Sequence, residues 1–461
     1  MVREALAEET RPVTRVVITG AGGMVFPLRL AADLLATPAL HGVPLVLHDP
    51  DVGRAERTAR ATRRIAEAHG LPVDLRVTGD RPAALDGATH VMITFQVGGL
   101  AAYEADMELP RRYGIDCVAG DTLNPGGIMR FLRSTPAFDA LARDVRTWCP
   151  GALVMNHANP MAMNCLYLHA LGMNVIGLCH SVPGSARTIA ALLGMPEREL
   201  AYVAAGVNHQ AWFLRLATRS EDTGDLNARL ARVLRERFMP EFGGVTPWTE
   251  GGDTYVGGQE RVRAELMETY GYFLSESSHH ASEYVPYFRR SPVSVKAHLP
   301  RRWDYLRGSR ATRGHEDAQI TAATSALQAE LRHSGEYGMQ IVAAGHTGED
   351  TDVYANVRNA GFIENLPDDA CVEVPCHVDA HGVHPRAVGR LPAACAGLNL
   401  ASVAVQTTAV EAVLKRDVRA LVAAFALDPL TASVLDLPGI RSLARDLFEA
   451  QRPWLPAWVT A

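Results

Sequence analysis

Residues 15–26, RVVITGAGGMVF, constrain this chain more than any other stretch. A short apolar strand runs directly into a glycine turn, and the turn opens an amphipathic helical segment, FPLRLAADLL. A second apolar strand, PLVLHDPD, follows and carries Asp49 at its end. Strand, glycine turn, helix, strand and acid in that order form the pattern of a βαβ dinucleotide site. Gly20 permits the tight turn, and Gly22 lets the backbone approach a pyrophosphate. The opening of the helix, with Gly23, Val25 and Phe26, offers N–H groups to phosphates. Asp49, 29 residues after Gly20, is placed to accept bonds from ribose hydroxyls, which favours NAD over NADP. Val25 occupies the place of the third glycine of GxGxxG, so the turn by itself also fits a plain strand–turn–helix.

Further apolar strands recur at HVMITF (90–95), ALVMNH (152–157) and NVIGLC (174–179), with helical stretches between them. Alternation of this kind predicts a parallel, doubly wound sheet. The 461 residues exceed one ordinary core. The expected organisation is a loose tail over 1–12, a Rossmann-like domain over 13–200, and a mixed α+β domain over 201–461. In the second half, 219–240 reads as a polar loop and helix. The stretch 299–350 reads as a polar surface excursion or oligomer arm with one helix near 318–332. Residues 371–378 read as β-rich, and 398–425 and 435–450 as helical.

Composition removes several classes of function. The formal net charge is -6 and no long basic run occurs, so nothing favours nucleic-acid or anionic-membrane partners. The N-terminal residues lack the apolar centre of a secretory signal, and no apolar run of membrane-spanning length stands out, which predicts a cytoplasmic protein. The seven cysteines are dispersed with no CxxC pair, as expected of reduced thiols. Only Lys296 and Lys415 are lysines, so a P-loop is excluded. Neither GxSxG nor HExxH is present.

Ligands of doubly wound sheets bind beyond the carboxyl ends of the strands. Those ends here carry Gln96-Val-Gly-Gly, Asn156-His157-Ala-Asn159, and Cys179-His180-Ser-Val. His209 follows in GVNHQAWFL, 30 residues after Cys179. A thiolate and an imidazole suit a borderline divalent ion, and two ligands leave positions open for substrate oxygens. The same two residues also fit a small buried hydrophobe and a hydrogen-bonded histidine.

The segments GAGGMVF (20–26), QVGG (96–99), GDTLNPGGI (120–128), NHANPMA (156–162), GLCHSVPG (177–184), GVNHQAWF (206–213), GYFLSESSHHASEYVPYF (271–288) and NLPDDACVEVPCHVD (365–379) carry a resemblance across nearly the whole chain. The chain resembles the family-4 glycoside hydrolases, NAD- and Mn²⁺-dependent enzymes, and its Cys-His-Ser-Val tetrad resembles their α-galactosidase branch. The resemblance implies a lactate/malate dehydrogenase-like fold and a homodimer or homotetramer. It also implies a redox-assisted elimination instead of two-carboxylate hydrolysis. In that route NAD⁺ takes hydride from C3, a base removes the acidified C2 proton, the C1 substituent leaves, water adds, and the hydride returns.

By the same resemblance Cys179 and His209 are the metal ligands, and Asn159, His157 and Arg290 contact the sugar. Tyr284 is the C2 base and His180 the leaving-group acid. Gly20, Gly22, Gly23, Val25, Phe26, Asp49 and Gln96 hold the dinucleotide. Other readings stay open: Tyr284 as a core aromatic and His180 as a partner of Cys179. A base role for Tyr284, with an ordinary pKa near 10, needs a nearby cation. Asn124, His157-Ala158, Pro183 and the SSHHASEY segment depart from the family's usual residues, so an α-galacturonide or α-glucoside remains beside the expected unphosphorylated α-galactoside. An NAD-dependent 2-hydroxyacid dehydrogenase and an inactive NAD-binding scaffold share the fold class; neither needs a metal-binding thiol.

Overall fold

The structure is a computed structural model that describes residues 13–219, 226–239, 241, 249–250, 259–299 and 301–460. The expected tail over 1–12 and most of the polar loop after 219 lie outside them.

Six short parallel strands build the first half: β1 (Val16–Thr19), β2 (Leu45–His48), β3 (Leu75–Thr78), β4 (His90–Ile93), β5 (Leu153–Asn156) and β6 (Val175–Gly177). Their order across the sheet is β3-β2-β1-β4-β5-β6. β1 is wholly buried and pairs with β2 on one side and β4 on the other, Val16 lying opposite both Leu45 and His90. Strands covered on both faces read as largely apolar runs, as β1, β2, β4, β5 and β6 do; β3, LRVT at the sheet edge, is only half-buried. Strand order reverses between β1 and β4, which opens a crevice at their carboxyl ends. The glycine turn leads from β1 into the helix Phe26–Ala36 at this point.

The second half supplies β7 (Leu200–Val207), β8 (Gln210–Thr218), β9 (Phe273–Leu274), β10 (Thr351–Arg358), β11 (Cys371–Asp379) and β12 (Gly382–Pro385). These do not form a separate sheet. β10 lies antiparallel to β6, with Asn356 opposite Gly177. The sheet then continues through β11, β7, β8 and β9, with β12 paired to β11. The sheet thus runs unbroken past residue 200, because β10 returns to cover the β6 edge that a six-stranded sheet would leave unpaired. The β-rich run 371–378 is β11, and the helix of 219–240 is Leu226–Phe238.

The reading of 299–350 as a polar surface segment fits residues 307–335, which are almost all exposed or half-exposed, and is corrected from Glu336 onward, where the chain enters the core. The segment forms the helices Tyr305–Thr312, Glu316–Ala329 and Gly338–Thr347. Ile320, Leu327 and Leu331 pack on Ile65, Ala61 and Leu35 of the first domain's helices, and His69 Nε2 bonds the Leu327 carbonyl at 2.8 Å. Met339, Ile341 and Val342 are core residues. These apolar positions are spaced among polar ones, so the segment's average composition hid them.

A second correction concerns apolar length. The helix Ala393–Lys415 is long and apolar enough to span a bilayer by length and composition, but half of its apolar window is buried in the fold. Asn399 and Ser402 on it bond Gln210 at 2.8–3.1 Å and 2.9 Å, which fits a core helix.

Candidate active site

The dinucleotide turn is built by close packing. Gly20 has φ +87, and a Cβ there would lie 2.6 Å from the Phe95 backbone. Gly23 N–H donates to the Gly20 carbonyl at 3.0 Å, closing the turn. A Cβ on Gly22 would lie 2.5 Å from Arg54 Cβ. Gly22 N–H donates to Asp49 Oδ2 and Asp51 N–H to Asp49 Oδ1, each at 2.9 Å. Asp49 therefore fastens the turn to the end of β2 and keeps lone pairs for a further donor. Val25 caps the helix without a side-chain bond, leaving its first N–H groups unpaired by any cap. Gln96 is exposed, its Nε2 donating to the Gly99 carbonyl at 3.3 Å. The Gln96–Gly99 loop is pinned from below: Arg133 Nε bonds the Val97 carbonyl at 2.8 Å while its fork grips Asp106, both side chains fully buried. An uncapped helix start and a glycine cradle beside an acid fit a dinucleotide.

The other strand ends converge on one acidic cluster. β7 and β8 are joined by the two-residue turn Asn208-His209, with His209 at φ +62. The His209 ring is 4% exposed. Its Nδ1 meets Thr122 Oγ1 at 2.8 Å and the Tyr284 hydroxyl at 3.1 Å. Nε2 is left facing Glu276 Oε2 at 3.6 Å. Two hydroxyls thus orient the imidazole and leave one nitrogen for a metal. Cys179, just past β6, is 7% exposed, and Ser181 N–H donates to its Sγ at 3.4 Å. Burial, helped by Glu373 and Glu276, pushes the thiol up to about 12. Among the described residues no three His, Cys, Asp or Glu side chains converge on one metal position. A thiol and an oriented imidazole with no closed cage fit an open divalent site.

Asn159 Nδ2 donates to Asp121 Oδ2 at 2.9 Å, which ties it to this cluster. Burial alone would raise Asp121 and Glu276, but the imidazoles of His280 and His209 outweigh it and hold both near 2, with Arg130 assisting at Asp121 and the Ser277 N–H at Glu276. Tyr284 is 2% exposed, and its hydroxyl also donates to Thr122 Oγ1 at 3.2 Å. Burial and then the charges of Asp121, Glu276 and Glu283 raise it well above the usual phenol range. His180 sits at the cleft edge, its side chain 52% exposed and its Nδ1 3.1 Å from Glu336 Oε1. That bond outweighs burial and raises it to about 9.

The other two expected sugar contacts differ in placement: His157 lies within reach of the charges of Glu336 and His180, whereas Arg290 is at the surface. His157 turns beneath Phe26, with ring centroids 5.5 Å apart, and burial lowers it to about 4. Arg290 is exposed, while its neighbour Arg289 points inward to Asp116 at 3.0 Å. Five acidic or hydroxyl residues of the cluster were not singled out from sequence: Asp121, Thr122, Glu276, Glu336 and Glu373. The first three lie in the GDTLN and SESS segments, whose polar density was the available signal. Glu373 is fully buried, has no hydrogen-bond partner among the described residues, and is raised to about 8 by burial.

The family 4 glycosyl hydrolase model matches residues 15–195, and the model of that family's C-terminal domain matches 204–431. An α-galactosidase of Rhizobium meliloti is 33% identical, covering 97% of this chain and 90% of that protein. One from Bacillus subtilis is 32% identical, covering 96% and 99%. An α-galacturonidase of Bacillus subtilis is 30% identical over 79% and 82%. Among solved structures, lplD of Bacillus subtilis superposes with TM-score 0.80 at 26% identity, covering 94% and 99%. A 6-phospho-α-glucosidase from gut microorganisms, in complex with NAD and Mn²⁺, superposes with TM-score 0.79 at 20% identity, covering 96% and 99%. The malate dehydrogenase of Aeropyrum pernix shares the fold at TM-score 0.51 and 14% identity, covering 86% and 97%. With both halves matched in order and full-length relatives above 30% identity, the chain belongs to glycosyl hydrolase family 4.

Proposed function

We propose that this protein hydrolyses a small unphosphorylated α-galactoside, using NAD and a divalent metal such as Mn²⁺. The observation that carries the reading is the His209 arrangement. One nitrogen is oriented by Thr122 and Tyr284, and the other is left open in the acidic cluster that also influences Cys179. The two α-galactosidase relatives support the choice of sugar. A cytoplasmic homo-oligomer belongs to the same proposal.

Bound NAD would supply a reversible hydride acceptor and the metal a Lewis acid. The chain's residues supply the rest. The Gly20–Gly23 turn, Val25, Phe26, Asp49 and Gln96 hold the dinucleotide at the switch point. Cys179 and His209 Nε2 hold the metal. Asn159, fixed by Asp121, orients the sugar hydroxyls. The Tyr284 hydroxyl takes the C2 proton, and His180 gives a proton to the departing oxygen from the cleft edge.

The test is release of p-nitrophenol from α-galactoside, α-glucoside and α-galacturonide substrates. Each is run with NAD⁺, Mn²⁺ and thiol, and again with each omitted. Release that needs NAD⁺ and Mn²⁺ without net NADH is expected, fastest on the galactoside. A faster galacturonide or glucoside would move the sugar within the same mechanism. Net NADH from a hydroxyacid without glycoside cleavage would overturn the reading in favour of a dehydrogenase, and NAD binding without turnover would favour a scaffold.

Glu336 gives a sharper check on His180. It is held by a short hydrogen-bonded chain: Ser334 N–H donates to Asp33 at 2.7 Å, and Glu336 N–H donates to Ser334 Oγ at 3.2 Å. A general acid works when protonated, so its contribution is full below its pKa and lost above it. In the wild type that loss should fall near pH 9. Glu336→Gln removes the charge and lets His180 fall toward its ordinary value near 6.5. The alkaline limb of kcat/KM should therefore move down by about two units, measured from pH 6 to 10 on an unactivated galactoside. An unmoved limb would take leaving-group protonation away from His180.

A further inference from the structure

A row of ring contacts runs outward from the metal-ligand candidate. His280 lies edge-on to His209, with centroids 5.6 Å apart. Trp303 packs on His280 at 5.3 Å, and Tyr305 packs on Trp303 at 5.8 Å. Tyr103 meets Tyr305 edge-on at 5.8 Å. Trp303 and Tyr103 are 7% and 3% exposed, but Tyr305 is 44% exposed.

The Tyr305 ring stands on a rigid base. Its N–H donates to the Val118 carbonyl at 3.0 Å, in the loop that leads to Asp121. Asp304 caps its helix through the Arg307 N–H at 3.2 Å and pairs with Arg111 at 2.7 Å. Tyr305 lies close enough to feel the charges of Arg130 and Asp121 in the cluster and of Arg29. Arg29 is half-exposed and lies 3.8 Å from Glu336, the partner of His180. The ring row through Trp303 and His280 ties Tyr305 to His209. Arg130 is over the Tyr103 ring at 5.9 Å, and its Nε has no hydrogen-bond partner among the described residues.

We propose that Tyr305 is the floor of a leaving-group subsite, on which a ring-shaped aglycone, a second pyranose or an aryl group, lies flat. This rests on the reading of the Cys179–His209 cluster as the glycosidase centre. The C–H face of a pyranose is apolar and electropositive, and an aromatic face carries the complementary quadrupole. A ring held by packing on two sides loses little freedom on binding. Arg130, beside it, has donors to spare for hydroxyl oxygens. A leaving group that departs from a sugar held at the His209 end of the row would extend over this ring.

The experiment compares Tyr305→Ala and Tyr305→Phe with wild type on two substrates of one sugar. These are a disaccharide, galactosyl-α-1,6-glucose, and methyl α-galactoside, which has no ring to stack. Tyr305→Ala should raise KM for the disaccharide about tenfold while kcat/KM for the methyl glycoside stays within about twofold of wild type. Tyr305→Phe, which keeps the ring, should resemble wild type on both. An equal loss on both substrates, or no loss on either, overturns the subsite and leaves the glycosidase reading intact. If the galactosides are not substrates, the same ring and methyl pair is run as glucosides and galacturonides. A wild type that cleaves none of these sugars overturns both readings together.

Discussion

Cys179→Ser should leave a folded protein that still binds NAD⁺ but has lost Mn²⁺-dependent hydrolysis by more than about a hundredfold, since even partners of metal ligands are worth 10–100-fold. The buried thiol is pushed up to about 12 by burial and by the carboxylates of Glu373 and Glu276. The chain alone thus keeps it protonated at neutral pH, and only a cation can draw off the proton. A serine hydroxyl is harder still to deprotonate and lacks the soft donor. Its oxygen can inherit the Ser181 N–H, which limits the cost to the fold. The sign of the pH effect follows. Because metal binding must release the thiol proton, the apparent metal affinity of the wild type should rise about tenfold per pH unit. Calorimetry in buffers of different ionisation enthalpy should show about one proton released in the wild type and fewer in the variant. Full Mn²⁺-dependent activity in Cys179→Ser would remove this residue from the site.

Much of the fold was written in local pattern, and the strands that form the six-stranded parallel core are the clearest case. Five of them stand out as largely apolar runs because both faces are covered, and polar residues gather at or just past their carboxyl ends; β3, LRVT, is only half-buried and did not stand out in the sequence. The single sheet was not legible. Nothing local in residues 351–358 says that this strand pairs with Gly177 rather than within its own half. Long-range pairing is a matter of which edge is open, not of periodicity. The candidate site divides the same way. Cys179 and His209 stand at strand and hairpin ends, where motif and topology coincide. Glu336 comes from a polar segment without a motif and matters only because Asp33 and Ser334 fasten it beside His180. Arg290 illustrates a complementary limit. Adjacent residues point in opposite directions, and spacing alone did not say that Arg289 faces in and Arg290 out.

Tyr284→Phe should lower kcat by about 10²–10⁴, the usual worth of a positioned base, with little change in NAD⁺ or metal affinity. The substitution removes one oxygen, and Thr122 still holds His209 Nδ1 at 2.8 Å, so the ligand's orientation survives. Burial and the charges of Asp121, Glu276 and Glu283 raise the phenol and keep it protonated in the chain alone. A divalent cation beside His209 would reverse that sign, since an opposite charge within a few ångströms favours the phenolate. Among the nearby carboxylates Asp121 and Glu276 are held near 2, which makes them weak bases, whereas burial raises Glu373 to about 8. The variant should still show a burst of NADH absorbance, because oxidation at C3 precedes the proton transfer. It should no longer place solvent deuterium at C2 of the released sugar at the wild-type rate. A burst without turnover therefore isolates Tyr284 as the base. Unchanged kcat and unchanged exchange would return Tyr284 to the role of a buried aromatic that orients His209.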